Sequence, residues 1–197
     1  MARERETERE NDECRPPIPA ALVMSRVVGD VLGPFTPTAD LRLLTSDGSI
    51  VFNGTSLRPS NVAAPPRLHI APHHHFQGFY TLVMVDADAP NPSNPHFKEY
   101  LHWLVTDIPA AESSSGSGNE MVRYESPKPT MGIHRIVLVV FQQSRGRGRA
   151  VTAPQWRRNF TTREFSEANC LGSPIAALYY NCQRQNGTGG RRPPTLR

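Results

Sequence analysis

Cysteine and long apolar runs are both scarce in this chain. Its 197 residues include three cysteines, Cys14, Cys170 and Cys182, and this odd, sparse count favours a reduced, intracellular protein without a disulfide framework. The longest apolar run, residues 136–141, is far shorter than a membrane-spanning helix. The charged N-terminus also lacks the apolar core of a secretion signal. We therefore expect no transmembrane segment.

Motifs of catalysis and metal binding are missing as well. Ser93 has acidic and imidazole residues nearby in sequence, but no Gly-x-Ser-x-Gly elbow occurs, so a hydrolase is a weak hypothesis. There is no Cys-x-x-Cys or His-Glu-x-x-His motif, and the adjacent histidines 73–75 cannot all face one ion from regular structure. We expect no catalytic residue, no metal site and no cofactor.

Negative charge is scarce in the C-terminal part of the chain. From residue 142 onward there are ten arginines and two acids, Glu164 and Glu167, and the whole chain carries a net charge of +4. Such a segment suits an acidic partner: a phosphate group, a nucleic acid or a phosphopeptide. A solvated basic surface with a loose tail is an equal alternative. No aromatic residue interrupts the arginines of 145–149, which argues against single-strand binding by base stacking.

The chain length suits one domain with two loose flanks. Residues 1–17 alternate in charge without apolar anchors and predict a disordered N-terminal extension. Residues 186–197 are rich in glycine, proline and arginine and predict a flexible basic tail. The folded domain is therefore expected over residues 18–185.

Most of the folded part has the pattern of short strands. The stretch LRLLTSDGSIVFNG predicts a hairpin that turns at Asp47-Gly48. Further strands are predicted in RLHIAP, FYTLVMVD, YLHWLVTDI and GIHRIVLVVF, and the last three are apolar enough for central strands covered on both faces. The expected fold is mainly β: a single-domain, sandwich-like fold with a central antiparallel-rich sheet and a few short peripheral helices.

Helical signals are few and lie near the ends of the domain. Residues 21–32 predict one amphipathic helix, and residues 161–171 predict a second that begins with a threonine cap. Residues 173–182 suit either a strand or a short helix. Composition predicts a flexible loop over 110–121 and a longer loop over 144–159 that contains an exposed tryptophan.

Two aspartates and two histidines have the spacing to meet at one end of the sheet. Asp86 and Asp88 close the strand FYTLVMVD and, in an extended segment, would leave the same face. His102 lies just inside the next strand, and His134 begins another after Gly132. If these strands are neighbours, the carboxylates raise the pKa of the imidazoles, and protonated imidazoles with backbone N–H groups can hold a phosphate-like anion. For any single pair, a turn-forming aspartate and a packed core histidine are an equal alternative.

Several long motifs resemble those of one protein family. DADAPNPSNP, EYLHW and GIHR, in this order and at this spacing, resemble the phosphatidylethanolamine-binding proteins. With MSRVVGDVL, TREF and YYNCQR, the resemblance narrows to the plant flowering locus T/terminal flower clade and covers roughly residues 20–192. It implies a β-sandwich-like fold, no catalysis, and a small anion pocket formed by Asp86, Asp88, His102, Gly132 and His134.

The resemblance also implies partners. Proteins of this clade are developmental signals that regulate flowering time and shoot architecture by joining a 14-3-3 adaptor and a bZIP transcription factor. We therefore expect a protein of cytoplasm and nucleus that is a monomer alone, meets DNA only indirectly and can hold a phospholipid headgroup. A headgroup-binding protein without the adaptor, or a competitor or repressor of flowering, are the alternatives. The adaptor contacts that the resemblance implies are Pro109, Arg147 and Arg149.

Four positions that determine activity in this clade give a mixed pattern. Tyr100, directly before LHW, goes with floral promoters, and Glu125 and Trp156 match promoters too. We expect a hydrogen bond from the Tyr100 hydroxyl to the Glu125 carboxylate. Arg158 departs from the pattern, because promoters have a neutral glutamine there and repressors have an aspartate.

Two adaptor-contact positions also depart from the clade. Gln77 replaces an expected arginine and Ser117 an expected phenylalanine. The first change removes a charge-assisted hydrogen bond, worth roughly 1.5–3 kcal/mol if it is buried. The second removes an apolar anchor of similar value. The sequence therefore predicts weaker adaptor binding than a standard promoter has.

Overall fold

The computed structural model describes residues 17–111, 115–143 and 151–184. The predictions made for residues 1–16 and 186–197, and for Arg147 and Arg149, lie outside these ranges. Among the residues described, no helix combines the length and apolar character needed to cross a membrane.

Strands dominate the part of the chain that is described. The α-helices are α1 (Ala20–Met24), α2 (Val27–Asp30) and α3 (Thr162–Ala168), and single 3₁₀ turns occur at Pro59–Val62 and Ser115–Ser117. The strands are β1 (Ala39–Leu44), β2 (Ile50–Val51), β3 (Ser56–Leu57), β4 (Arg67–Pro72), β5 (Phe79–Asp86), β6 (Tyr100–Pro109), β7 (Asn119–Val122), β8 (Ile133–Gln143) and β9 (Pro174–Gln183).

These strands form two sheets. The central sheet has the order β3-β9-β8-β5-β6-β7, and a smaller sheet has the order β2-β1-β4. Within the described ranges all pairings are antiparallel except that of β3 with β9. The predicted hairpin is confirmed: Leu43 pairs with Val51, and Gly48 turns the chain at φ +84°. The expectation of a mainly β fold with an antiparallel-rich central sheet is confirmed.

The central strands are covered on both faces, as their apolar runs predict. Side chains of β8 alternate between two cores. One core packs the central sheet against the small sheet and includes Ile136, Leu138 and Val140. The other packs it against the helices and includes Val137, Val139 and Phe141. All six are at most 1% exposed, and each such burial stabilises the fold by about 1.5–3 kcal/mol.

The single helix predicted over residues 21–32 is wrong. The chain forms α1 and α2 instead, because Arg26 between them adopts a left-handed conformation at φ +62°. A left-handed residue cannot continue a right-handed helix. The apolar positions of this segment nevertheless face the core, since Leu22, Val27 and Val31 are all buried on the helix side of the central sheet.

The start of α3 is held by a distant carboxylate rather than by the predicted threonine cap. Thr161 occupies the cap position, but its side chain makes no capping hydrogen bond. Glu99 accepts a hydrogen bond from the Thr162 N–H at 3.1 Å and another from the Thr162 hydroxyl. Sequence spacing could not predict a partner 63 residues away.

Two ambiguous segments are resolved as strands. Residues 173–182 fall mainly in β9, which pairs along its length with β8. The end of the predicted loop 110–121 belongs to the edge strand β7, where Asn119 pairs with Thr106. Its polar composition suits an edge position, because one side of an edge strand faces solvent.

Candidate functional site

The ends of strands β5, β6 and β8 lie together at one end of the central sheet. β5 ends at Asp86, which lies opposite Tyr100 at the start of β6 and opposite Ile136 near the start of β8. They border a cavity of about 290 Å³, which is close to the lower limit of roughly 300 Å³ for ligand pockets. The cavity is lined by Asp86, Ala89, Pro90, Phe97, Tyr100, His102, Glu125, Ser126, Lys128, Pro129, Thr130, His134 and Arg158.

Asp86 and His134 form a buried ion pair in the wall of this cavity. The His134 Nδ1 donates to Asp86 Oδ2 at 2.6 Å, and Nε2 donates to the Met131 carbonyl at 3.0 Å. Burial lowers the pKa of His134, but the hydrogen bond and charge of Asp86 outweigh burial, so the pKa is raised. Asp86 also accepts the Asp88 backbone N–H through Oδ1 at 2.8 Å, which fixes the carboxylate in place.

His102 lies beside this pair but has the opposite tendency. It is 5% exposed, and its Nδ1 lies 2.8 Å from the Glu125 carbonyl. Burial lowers its pKa, and the Glu125 carbonyl and Asp86 oppose that effect without cancelling it. The expectation that carboxylates raise the pKa of both imidazoles therefore holds for His134 and fails for His102, because desolvation dominates there.

Asp88 does not line the cavity. β5 ends at Asp86, and the following turn directs Asp88 to the helix side of the sheet, so the two side chains do not share a face. There Asp88 binds the Arg135 guanidinium through two contacts of 2.7 and 2.9 Å and accepts the Arg135 N–H at 2.8 Å. Arg135 also contacts Asp30 at 2.9 Å. The second aspartate of the motif thus anchors the helices to the sheet.

Gly132 shapes the entry to β8 without lining the cavity. Its φ is +79°, and a Cβ there would approach the Pro92 ring to 2.7 Å. Only glycine suits both conditions. Strand β8 begins directly after Gly132, and its second residue, His134, contacts Asp86.

The predicted hydrogen bond at the cavity mouth is present. The Tyr100 hydroxyl lies 3.1 Å from both carboxylate oxygens of Glu125. The Arg157 Nε lies 3.4 Å from the same carboxylate. Burial, followed by the charge of Glu125, raises the pKa of Tyr100, so the phenol remains a hydrogen-bond donor at neutral pH.

Sequence reasoning missed Arg157, because consecutive arginines look like a solvated basic surface. Its Nη1 donates to the carbonyls of Leu101 and His102 at 2.9 Å each. Its Nη2 donates to the Arg123 carbonyl at 2.7 Å. Arg157 therefore joins the start of β6 to the segment that carries Glu125.

Trp156 and Arg158, on either side of Arg157 in the sequence, differ in what surrounds their side chains. Trp156 is 72% exposed, as predicted. The Arg158 guanidinium stacks on the Phe97 ring at 4.3 Å from its centroid and lines the cavity. The departure from the clade at position 158 therefore adds a cation to the mouth of the pocket.

Three of the positions that the resemblance assigns to adaptor binding fall in the described ranges, and they lie at the far end of the sheet. Pro109 ends β6 opposite Phe79, and Gln77 is exposed just before β5. Ser117 is exposed in the turn before β7. Residue 109 is nine positions from Tyr100 along β6, so at roughly 3.3 Å per residue the two ends are about 30 Å apart.

Metal and hydrolase sites find no support among the described residues. No group of three or more His, Cys, Asp or Glu there has the arrangement of a metal site. His73 pairs instead with Asp40 at 3.1 Å. Ser93 is exposed and does not line the cavity of Asp86 and His134.

The family model of the phosphatidylethanolamine-binding proteins matches residues 45–180. This range includes every residue that lines the cavity and all of the strands except β1 and the last three residues of β9. The chain belongs to the phosphatidylethanolamine-binding protein family.

Curated proteins similar to this chain include several plant proteins. The chain is 55% identical to "Protein FLOWERING LOCUS T" of Arabidopsis thaliana over 171 residues, which cover 87% of this chain and 95% of that protein. It is 58% identical to "Protein TWIN SISTER of FT" of the same plant, with the same coverage. It is 43% identical to "Protein SELF-PRUNING" of Solanum lycopersicum, again over 87% of this chain and 95% of that one.

Solved structures share the fold at lower identity. The phosphatidylethanolamine-binding protein of Plasmodium vivax matches with a TM-score of 0.75 and 18% identity, over 87% of this chain and 99% of that one. A carboxypeptidase Y inhibitor, solved with its cognate proteinase, matches with a TM-score of 0.74 and 20% identity, over 84% and 94%. These likenesses concern the fold alone.

Proposed function

We propose that this protein is a non-enzymatic regulator of flowering time and shoot architecture. It acts in the cytoplasm and nucleus, as a monomer that joins a 14-3-3 adaptor and, through it, a bZIP transcription factor. The similarity to the plant flowering proteins supports the role in flowering or shoot architecture. The adaptor and the transcription factor rest on the family resemblance of the motifs.

The observation that carries the proposal is the polar network at the cavity mouth. The Tyr100 hydroxyl meets Glu125 at 3.1 Å, and Arg157 holds the same carboxylate at 3.4 Å. This is the pair of side chains that the resemblance links to floral promoters. Because Arg157 also binds three main-chain carbonyls, the pair is presented in one fixed geometry at the surface.

Arg158 decides between promotion and competition. It adds a positive charge where promoters are neutral, directly beside the Tyr100–Glu125 pair. A partner that accepts a neutral glutamine would have to desolvate this guanidinium, which is costly without a counter-charge. A protein that still binds the adaptor but fails at this surface would compete with true promoters.

The test is overexpression of the chain, with and without Arg158→Gln, followed by scoring of flowering time. Acceleration in both forms supports a promoter, and acceleration only in the substituted form shows that Arg158 disables promotion. Delay in the unsubstituted form supports the competitor. The matched control is Arg42→Gln, an exposed arginine on the small sheet, which is expected to leave flowering time unchanged. No change of flowering time with any form would contradict the proposal.

A second function is favoured by the cavity itself. We propose that it holds a phosphate-type group, such as a phospholipid headgroup or a free phosphorylated compound. Its volume of about 290 Å³ suits a headgroup and leaves no room for acyl chains. Titration with inorganic phosphate tests this: the chemical shifts of the His102 and His134 rings should move, and they should stay unchanged in an Asp86→Ala variant.

A further inference from the structure

One row of the central sheet is left uncovered on the helix side. Gln183 of β9 pairs with Ile133 of β8, and Arg58 lies beside Gln183, because it continues in extended conformation the register in which Leu57 pairs with Cys182. Leu57 and Cys182 belong to the core on the side of the small sheet. Successive residues of a strand face opposite sides, so Arg58, Gln183 and Ile133 share the helix side. All three are exposed.

Two further apolar side chains border this row. Ile133 is 55% exposed, and Met131, two residues before it, is 66% exposed. The exposed Pro92 ring lies against the chain between them, since a Cβ at Gly132 would approach that ring to 2.7 Å. Apolar side chains that cluster on a surface mark interaction sites, whereas scattered ones do not. Methionine is also able to adapt its shape to a partner. None of these side chains lines the cavity of Asp86.

The cations beside this row lack a counter-charge within the protein. Arg184 follows the last residue of β9 and is exposed. Across the ranges that the structure describes, neither Arg58 nor Arg184 has a salt-bridge partner. The acids on the same side of the sheet are already used, because Asp30 and Asp88 both bind Arg135, at 2.9 and 2.7 Å. The surface therefore attracts negative charge from outside the protein.

We propose that this surface docks an acidic amphipathic peptide segment of a partner protein. The apolar side of such a segment covers Met131 and Ile133, and its carboxylates pair with Arg58 and Arg184. The inference goes beyond the function proposed above, since it involves neither the cavity nor the adaptor positions. The docking surface consists of Arg58, Pro92, Met131, Ile133, Gln183 and Arg184.

The order of side chains along the row favours a peptide over other acidic partners. Gln183 lies between the cation of Arg58 and the apolar side chain of Ile133, and its amide has no hydrogen-bond partner in the described part of the chain. The main chain of a peptide can satisfy this amide. The acyl chains of a membrane cannot, and burying an unpaired amide is costly. The phosphate backbone of a nucleic acid would pair with the arginines but leave Met131 and Ile133 uncovered.

The test uses a fluorescein-labelled amphipathic peptide with leucine along one helical face and glutamate along the other. Fluorescence anisotropy with the full chain measures its affinity. Arg58→Glu should weaken binding by roughly tenfold or more, because attraction becomes repulsion. Ile133→Gln keeps the size of the side chain and should weaken binding by roughly fivefold or more, because an apolar contact is lost. A peptide with lysine in place of glutamate should not bind.

Two matched control variants lie at the small sheet. Arg42→Glu reverses the charge of an exposed arginine on β1, and Phe52→Gln replaces an apolar side chain that is 70% exposed directly after β2. Both should leave the affinity for the glutamate peptide unchanged. All four variants change exposed side chains, so their urea unfolding midpoints should stay close to that of the wild type.

Several outcomes would overturn the inference. Equal weakening by Arg42→Glu and Arg58→Glu would show attraction to charge alone. Binding that Ile133→Gln leaves unchanged would exclude the apolar contact, and no binding of the glutamate peptide would exclude the docking surface. Vesicles of phosphatidylcholine with phosphatidylserine, and a DNA duplex, test the other partner classes. If one of them is retained in place of the peptide and is lost with both Arg58→Glu and Ile133→Gln, the surface belongs to that class instead.

Discussion

The two ends of the central sheet carry polar side chains of different kinds. At the pocket end, Asp86, His102 and His134 are buried, Asp86 is hydrogen-bonded to His134, and His102 is hydrogen-bonded to the Glu125 carbonyl. At the opposite end, Gln77 is exposed just before β5, and Ser117 is exposed in the 3₁₀ turn before β7. About 30 Å of strand β6 separates the two regions at roughly 3.3 Å per residue.

This difference determines how each end can be understood. At the pocket end, the chemistry of a residue depends on its partners: the two histidines, on the strands that flank β5, have pKa shifts of opposite sign. At the far end, an exposed side chain keeps its ordinary chemistry and acts through what binds it. Substitutions of buried residues at the pocket end should therefore change the stability of the fold. Substitutions at the far end should change only the binding of partners.

The largest expected effect is the loss of Arg135, which holds the pocket end to the helices. Arg135→Ala leaves the Asp88 carboxylate, 9% exposed, without its counter-charge. Removing one partner of a buried ion pair costs about 3–5 kcal/mol. Urea unfolding should show this loss, and the control Arg42→Ala should change the free energy of unfolding by less than about 0.5 kcal/mol. A loss below about 1 kcal/mol would show that the pair is not important.

Glu99 should give the pocket end a pH-dependent stability. Burial raises its pKa from 4.5 to about 7, although Thr162 and nearby cations oppose the shift. The folded state therefore binds this proton more tightly than the unfolded state, and stability is lost as pH rises from 4.5 through about 7. A shift of this size corresponds to about 3 kcal/mol.

The measurement compares the wild type with Glu99→Gln, which cannot ionise. Urea unfolding at pH 5 and pH 8 should show that the variant loses about 2.5 kcal/mol less than the wild type over this interval, because Glu99 of the unfolded chain is already mostly ionised at pH 5. Equal losses in the two proteins would mean that Glu99 ionises normally in the fold.

At the far end, Gln77→Arg should restore adaptor binding. An added charge-assisted hydrogen bond in a buried interface is worth about 1.5–3 kcal/mol, which is roughly tenfold or more in affinity. Titration against a 14-3-3 protein measures it. Asp86→Asn is the matched variant at the pocket end and should leave this affinity unchanged. Equal changes from both variants would mean that the two ends are coupled.

The smallest effect is expected at the exposed mouth of the pocket. Tyr100→Phe removes one hydrogen bond to Glu125, whose side chain is 49% exposed, so a loss of about 0.5–1 kcal/mol is expected in urea unfolding. Adaptor affinity should be unchanged, whereas flowering activity should fall. If activity is retained, the Tyr100–Glu125 pair is not the surface that partners recognise.

Residue types and spacing were sufficient to predict most of the fold. Alternating and continuous apolar runs predict six of the nine described strands, and Asp47-Gly48 predicts the turn between β1 and β2, because these signals depend on neighbours in sequence. The short strands β3 and β7 were not predicted, and β9 was left open between a strand and a helix. The broken helix at Arg26 and the capping of α3 by Glu99 were not predictable in this way. Both arise from tertiary packing that overrides local propensity.

For the site, the motif predicted that Asp86, His102 and His134 meet, and the Tyr100–Glu125 contact was predicted from the resemblance. The opposite placement of Asp88 was missed, because strand β5 ends at Asp86, two residues before Asp88, and the two aspartates therefore do not share a face. Arg157 was missed since its partners are carbonyl groups, which every sequence has.

The sequence alone determined which chemical groups the pocket contains and the fold that brings them together, because hydrophobic periodicity and turn residues act locally. Only the tertiary structure decided the protonation of each imidazole and the direction of each carboxylate. These depend on burial and on partners from distant strands, which change the free energy of a charge by more than any neighbour in sequence does.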